Sequence, residues 1–363
     1  MKSLIIKKFT DLKETILNLD SNSNSNSNSN SKVKNINLPL DYYDAEIPDI
    51  KDDEVLIKIG ACAVCHTELD EIEGRITPIK LPVIPGHQIV GRIIKKGKNV
   101  KKLKESDRVG VGWINSACGK CRYCKNGLEN LCANFVATGK DVNGGYAEYT
   151  KVKENYAVLI PDGFTDEEAS PLLCAGAVGY RSLKLTGLTN GFNLGFLGFG
   201  ASNHLVLKIA MALYPDSKLF VFARSSNERN LAKKLGAYWT GDTADTPPEK
   251  INAIIDTTPV WRPLADILRH LAPSGRLVIN NIRKENYDIE CLKNIDYARD
   301  IWMEKEIKSV ANVTFNDIKE VVDVAYRFNI KPQIEIYSLL DANNAIFDIK
   351  NRKINGSKVL KIS

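Results

Sequence analysis

The chain has 363 residues, with 50 Lys plus Arg against 44 Asp plus Glu for a net charge of +6, and an apolar share of 44%. That length is long for one hydrophobic core and comfortable for two domains, and the composition is that of an ordinary globular protein. The mild positive balance lacks the concentrated basic face of a nucleic-acid binder, and no run reaches the ~18 apolar residues of a membrane span.

Taken in chain order, Met1–Asp20 has neither the apolar core nor the small-residue cleavage site of a signal peptide, which predicts a cytoplasmic protein with reduced thiols. Eight cysteines in such a compartment point to metal rather than to disulfides. Ser21–Ser31 strictly alternates Ser and Asn, offers nothing apolar to bury, and is expected to be a flexible surface loop. From about Asp53, short apolar runs (Glu54–Ile59, Ile89–Ile94, Tyr146–Lys151) alternate with Gly, Pro and Lys-rich turns. That pattern predicts an irregular, barrel-like all-β domain. The Lys-rich stretch Lys95–Lys104 reads as a solvated loop within it.

Near Pro171 the pattern changes. A strand (Asn193–Leu197), a glycine turn, a helix (Ala201–Leu213) and a second strand (Lys218–Ala223) follow one another. A helix capped by Ser225 or Ser226 then runs to Gly236. Strands at Ala253–Asp256 and Arg276–Asn280 flank a helical stretch, Pro263–Leu271. Such alternation predicts a doubly wound parallel sheet, so the fold class is α/β with two domains. The expected domains are 173–310 for the parallel sheet, and 1–172 with 311–363 for the β-rich part.

Four residues carry the strongest chemical signal: Cys118, Cys121, Cys124 and Cys132, spaced Cys-x2-Cys-x2-Cys-x7-Cys. Thiolates on so tight a loop can reach the corners of a zinc tetrahedron, and four of them leave no place for substrate, so the site is expected to be structural. Cys65-His66-Thr67-Glu68, His87-Gln88 and Cys174 are each weak alone, since a single Cys or His is usually a packing residue. Taken together, two sulfurs and an imidazole would hold zinc with a fourth position open, the catalytic arrangement. Gly198-Phe-Gly200-Ala-Ser-Asn203 follows a strand and opens a helix, the context a dinucleotide-binding turn requires. Gly198 would permit the tight turn and Gly200 the approach of a pyrophosphate.

Cys65-His66-Thr67, Gly86-His87, the four-cysteine lobe, Gly144-Gly145-Tyr-Ala-Glu-Tyr149 and Cys174-Ala-Gly176 stand in the order found in zinc-dependent medium-chain alcohol dehydrogenases, which this chain resembles from about Lys51 to Leu360. The resemblance implies a GroES-like catalytic domain, a Rossmann domain and two zinc ions per subunit. Cys65, His87 and Cys174 would hold the catalytic zinc, and the four-cysteine lobe the structural one. It further implies reversible hydride transfer between an alcohol and NAD(P), giving an aldehyde or ketone. Thr67 would pass the alcohol's proton outward. A small-molecule alcohol or aldehyde partner and a homodimer or homotetramer come with the family.

The chain also departs from the family pattern. Gln88 stands where a glutamate is common, Glu68 where an aspartate is usual, Asp70 where a histidine often ends the proton relay, and Ser357 where an arginine often meets the pyrophosphate. Glu68 can still orient His87, and His66 either continues the relay or meets the pyrophosphate. Asn203 replaces the third glycine of the turn. Cys62 and Cys291 are read as packing residues, His204 as a helix residue and His270 as a surface helix residue. The strand Lys218–Ala223 ends in Ala223-Arg224-Ser225-Ser226 without a carboxylate, so Arg224 and Ser225 favour NADP over NAD. Two other readings compete: a zinc-lacking reductase or non-enzymatic relative of the same fold, and a zinc module contacting nucleic acid.

Overall fold

The computed structural model describes residues 1–23, 38–351 and 356–363. It divides into two compact units, Met1–Leu173 with Pro332–Ser363, and Cys174–Lys331.

The first unit is built on a seven-stranded sheet. Its spine is Glu54–Val64, which pairs with Gln88–Lys96, Tyr149–Lys153 and Ser357–Lys361. Nine of its eleven residues are buried, so it lacks the alternation of a half-exposed strand, and the expected Ile59 end falls short by five residues. The register shifts between Ile59 and Ala61, where a Cβ on Gly60 would collide with Asp166 Oδ2 at 2.0 Å. That bulge turns the last residues of the strand onto Ser357–Lys361 and delivers the chain to Cys65. Ile57, Ile59, Ile89, Ile93, Val109 and Tyr146 pack the interior. The expected Tyr146–Lys151 strand begins only at Tyr149, because Tyr146 is drawn into this core. Ahead of the spine, Lys2–Ile5 pairs antiparallel with Asp41–Asp44, and a helix covers Leu12–Ser23. That helix takes in the first three residues of the Ser/Asn tract, against the loop expected there; the rest of the tract lies outside the described residues.

The second unit is a six-stranded, wholly parallel sheet in the order β3-β2-β1-β4-β5-β6. The strands are β1 (Leu194–Leu197), β2 (Leu219–Phe222), β3 (Trp239–Gly241), β4 (Ile251–Asp256), β5 (Leu271–Ile279) and β6 (Glu306–Ser309). Its helices are α1 (Ala175–Thr186), α2 (Ala201–Leu213), α3 (Ser226–Lys234), α4 (Arg262–Ile267) and α5 (Phe315–Arg327). This is the Rossmann order, whose ligand crevice opens at the carboxyl ends of the strands. β1 and β2 are buried throughout, as both-side burial of a parallel sheet requires. The helix expected over Pro263–Leu271 ends at Ile267, passes through a short 3-10 turn that includes His270, and leaves Leu271 to start β5.

The boundary expected at 311 lies instead at Lys331, because α5 packs on α1. Arg181 Nη1 and Lys184 Nζ of α1 reach the Asp317 carboxylate at 2.7 and 3.0 Å.

Candidate active site and metal centres

The strand Glu54–Val64 runs straight into a short helix, His66–Ile72, with Cys65 as its N-cap. Cys65 Sγ accepts from the Thr67 N–H at 3.4 Å, and the Cys65 N–H donates to Glu68 Oε2 at 2.8 Å. This reciprocal pair is a capping box with a thiol in the usual serine place. The other Glu68 oxygen stands 2.9 Å from His87 Nδ1. It fixes the ring so that Nε2 faces Cys65 Sγ at 3.5 Å. His87 sits in a turn only Gly86 permits, with φ +94° and a Cβ site 2.4 Å from the Tyr146 ring. Trp113 packs edge-on against the imidazole at 4.7 Å.

Cys174 follows Leu173 directly and stands ahead of α1. The ligand atoms of Cys65, His87 and Cys174 lie within 4.8 Å of one another. A tetrahedral zinc with Zn–S of ~2.3 Å and Zn–N of ~2.0 Å needs a sulfur–nitrogen edge of about 3.5 Å. The Cys65–His87 edge of 3.5 Å meets that requirement. Thr67 is half-buried two residues after Cys65, and His66 is exposed beside it. Asp70 is buried, and its carboxylate is engaged by Arg75 Nε at 2.6 Å. It therefore serves that ion pair at the position where the family's relay histidine often stands.

The sulfurs of Cys118, Cys121, Cys124 and Cys132 also lie within 4.8 Å of one another. Cys124 Sγ is 3.9 Å from Cys118 Sγ and 3.6 Å from Cys121 Sγ. A zinc tetrahedron of four sulfurs requires about 3.8 Å. Gly119 and Gly127 turn the loop with φ of +71° and +67°. The backbone N–H groups of Lys120 and Cys121 hold the Cys118 thiol down to about 6, whereas desolvation pushes that of Cys124 up to about 12. All eight cysteines are free of disulfides; Cys62 and Cys291 are buried, and neither joins a cluster.

In the second unit Gly198 turns with φ +79°, and a Cβ there would press Thr257 Oγ1 at 2.9 Å. Chain neighbours aside, no atom among the described residues lies within 4 Å of the place a Gly200 Cβ would take. Asn203 is wholly buried; its amide nitrogen donates to Gly198 O at 2.8 Å and to Thr257 Oγ1 at 3.1 Å. It thus ties the turn to the end of β4, where a glycine would only have made room. His204 is a buried residue of α2. Arg224 is exposed after β2, and Ser225 caps α3 by position without a side-chain bond. Arg229 Nη1 donates to Ala223 O at 2.6 Å and Arg224 O at 2.8 Å, bracing the turn that carries Arg224. Ser357 is buried at the start of the last strand of the first unit.

Sequence reasoning missed Trp113, the Arg229 brace and Glu71. Glu71 lies one helical turn beyond Glu68, is wholly buried, and has no hydrogen-bond partner on either oxygen among the described residues. Among the described residues, no helix is long and apolar enough to cross a membrane.

Residues 51–162 match the family model of the alcohol dehydrogenase GroES-like domain. The chain is 36% identical over 329 residues to a probable alcohol dehydrogenase, AdhA, of Mycobacterium tuberculosis, covering 89% of this chain and 93% of that one. An alcohol dehydrogenase of Geobacillus stearothermophilus is 33% identical, with 89% and 96% covered. Among solved structures, CAD from Helicobacter pylori complexed with NADP(H) superposes with a TM-score of 0.79 at 27% identity, covering 89% of this chain and 94% of that one. The three-ligand set, the four-cysteine lobe, the parallel sheet and these relatives agree: the chain belongs to the zinc-dependent medium-chain alcohol dehydrogenase family, and is an alcohol oxidoreductase.

Proposed function

We propose that the chain transfers a hydride reversibly between an alcohol and NADP, with one zinc at Cys65, His87 and Cys174 and a second at Cys118, Cys121, Cys124 and Cys132. The observation that carries this reading is the contrast between the two clusters. Four sulfurs close one coordination sphere, whereas two sulfurs and one imidazole leave the other open. At the open centre, zinc supplies a Lewis acid that lowers the pKa of an alcohol's hydroxyl or polarises a carbonyl.

The chain's own groups then have separable tasks. Glu68 holds His87 in the tautomer that presents Nε2, and Trp113 packs on that ring and keeps water from its edge. Thr67 takes the hydroxyl proton in this reading. Asp70 is held by Arg75, so the outward path from Thr67 runs to the exposed His66. Gly198, Gly200 and the start of α2 receive the pyrophosphate, and Asn203 holds that turn in place.

NADP is favoured because β2 ends without a carboxylate. Arg224 and Ser225, both exposed just after that strand, read the 2′-phosphate in this proposal, and the Helicobacter pylori relative was solved with NADP(H). The reading is tested by metal analysis of purified protein together with absorbance at the reduced-nicotinamide band. An alcohol series is supplied with NADP and, separately, with NAD. Two zinc ions per chain and faster turnover with NADP are expected; fully active protein with a single zinc overturns the assignment.

A further inference from the structure

β2 ends without a carboxylate, but its neighbour β3 ends in one. The two strands pair in parallel with Phe222 opposite Gly241, and the Ala223 N–H donates to Gly241 O at 3.0 Å. Asp242 therefore stands beside Ala223, one strand spacing from the turn that carries Arg224 and Ser225. Its side chain is 45% exposed. One oxygen accepts from the N–H and the hydroxyl of Thr243. The other lies 3.4 Å from Arg229 Nη1 of α3, the same nitrogen that donates to Ala223 O at 2.6 Å and Arg224 O at 2.8 Å. A single guanidinium thus joins the tips of β2 and β3, bound to the backbone of one and the carboxylate of the other. Asp245, a second acid of this loop, turns back to take the Asp242 N–H at 2.7 Å.

A carboxylate at this place bears on the choice of cofactor. An acid at the end of β2 holds ribose hydroxyls and repels a 2′-phosphate, and an acid at the end of β3 reaches the same ground from the side. Charges ~5 Å apart repel even at the dielectric of water, and a phosphate carries nearly two of them, which is worth about tenfold in affinity. Arg229 offsets the Asp242 charge at its source. Its two shorter bonds are to backbone carbonyls, so it keeps its place beside Asp242 when a phosphate arrives.

We propose that Arg229 and Asp242 form a specificity-determining pair. Arg229 shields the carboxylate of β3 so that the turn after β2 accepts a 2′-phosphate. Without Arg229, Asp242 turns the site toward the unphosphorylated dinucleotide. The role of the pair rests on the NADP reading of that turn. Arg229 acts through Asp242 and the backbone and is a positioning residue, whereas Arg224 is the group offered to the phosphate.

The test is calorimetric binding of adenosine 2′,5′-bisphosphate and of 5′-AMP, at low ionic strength, to zinc-loaded native protein, Arg229→Met, Asp242→Asn and the double variant. Native protein should bind the bisphosphate more tightly than 5′-AMP. Arg229→Met should weaken the bisphosphate about tenfold and leave 5′-AMP within about threefold. Adding Asp242→Asn should return the bisphosphate to within about threefold of native, because the charge that repelled it is gone. Asp242→Asn alone keeps both carbonyl bonds of Arg229 and does not depend on the methionine variant folding; it should bind the bisphosphate at least as tightly as native. The proposal is overturned if Arg229→Met leaves the bisphosphate unmoved or weakens both ligands alike, if the double variant stays as weak as Arg229→Met, or if Asp242→Asn binds the bisphosphate more weakly than native. Native protein that binds 5′-AMP as tightly as the bisphosphate overturns instead the NADP reading beneath it.

Discussion

Lys284→Met removes the cation from the most deeply buried ion pair among the described residues of the second unit. Lys284 Nζ lies 2.7 Å from Asp256 Oδ2 and donates to the carbonyls of Thr258 and Val260 at 2.8 and 2.9 Å. The two side chains are 4% and 0% exposed. The other Asp256 oxygen accepts from the N–H and hydroxyl of Thr258. Methionine fills much of the volume but strands the carboxylate, a loss of about 3–5 kcal/mol for one partner of a buried pair. At roughly 2–4 °C per kcal/mol for a unit of this size, Tm falls on the order of 10 °C. Burial already raises the Asp256 pKa above its ordinary value, with Lys284 opposing the rise, and the variant raises it further. A carboxyl whose folded pKa exceeds its unfolded one favours folding below the unfolded value and loses that contribution as pH rises through the folded one. The gap between variant and native is therefore widest at neutral pH and narrows on acidification, as Asp256 takes up its proton. Urea unfolding of native, Lys284→Met and Lys284→Met/Asp256→Asn across pH measures it; the double variant should recover most of the loss. A deficit under about 1 kcal/mol at neutral pH, or one that grows on acidification, refutes the reasoning.

Three further outcomes are expected. Cys65→Ser abolishes turnover while Tm stays within a few degrees, whereas Cys121→Ser lowers stability and releases the lobe's zinc, because metal binding there is coupled to local folding; thermal scans with zinc analysis separate the two. Arg224→Ala cuts kcat/KM for NADP at least tenfold and leaves NAD nearly unchanged, since only the phosphate needs that cation; a native preference for NAD that the substitution does not move would rule it out. Asn203→Gly restores the family's glycine but loses both bonds that tie the turn to β4, destabilising by about 1–3 kcal/mol and raising KM for the cofactor more than for the alcohol.

The two clusters able to hold a metal were legible because their chemistry is local. Cysteines three residues apart on a loop have few other uses, and two weak neighbourhoods gained force from standing in one chain. The parallel sheet was legible because β1 and β2 are short apolar runs bounded by turns. The spine strand was cut short because a strand buried on both faces has no period to read, and because Gly60 suggested a stop where it makes a bulge. The end of the second unit at Lys331 was invisible because Asp317 finds Arg181 and Lys184 more than 130 residues away. Lys284 reads as one more charged residue in a polar stretch until the fold brings it onto Asp256.

Glu71 was hidden differently. Glu68, Asp70, Glu71 and Glu73 crowd six positions, and such a run ordinarily marks a solvated face. Helical spacing alone would have separated them: residues three apart share a face, so burying Glu68 behind His87 carries Glu71 inward with it. The charge balance of the centre explains why Gln88 suits that arrangement. In the proposed zinc centre, two thiolates would offset the two positive charges of the ion, and Glu68 would add one negative charge. A glutamate at 88 would add a second negative charge beside Glu68, where an alcohol must give up its proton, and it would oppose that ionisation in a medium that screens little. With Gln88 neutral, the imidazole's partner Glu68 is the carboxylate next to the proposed ligands. On that argument Gln88→Glu should shift the alkaline rise of kcat for alcohol oxidation toward higher pH, and an unshifted profile would show that the outer charge does not reach the reacting oxygen.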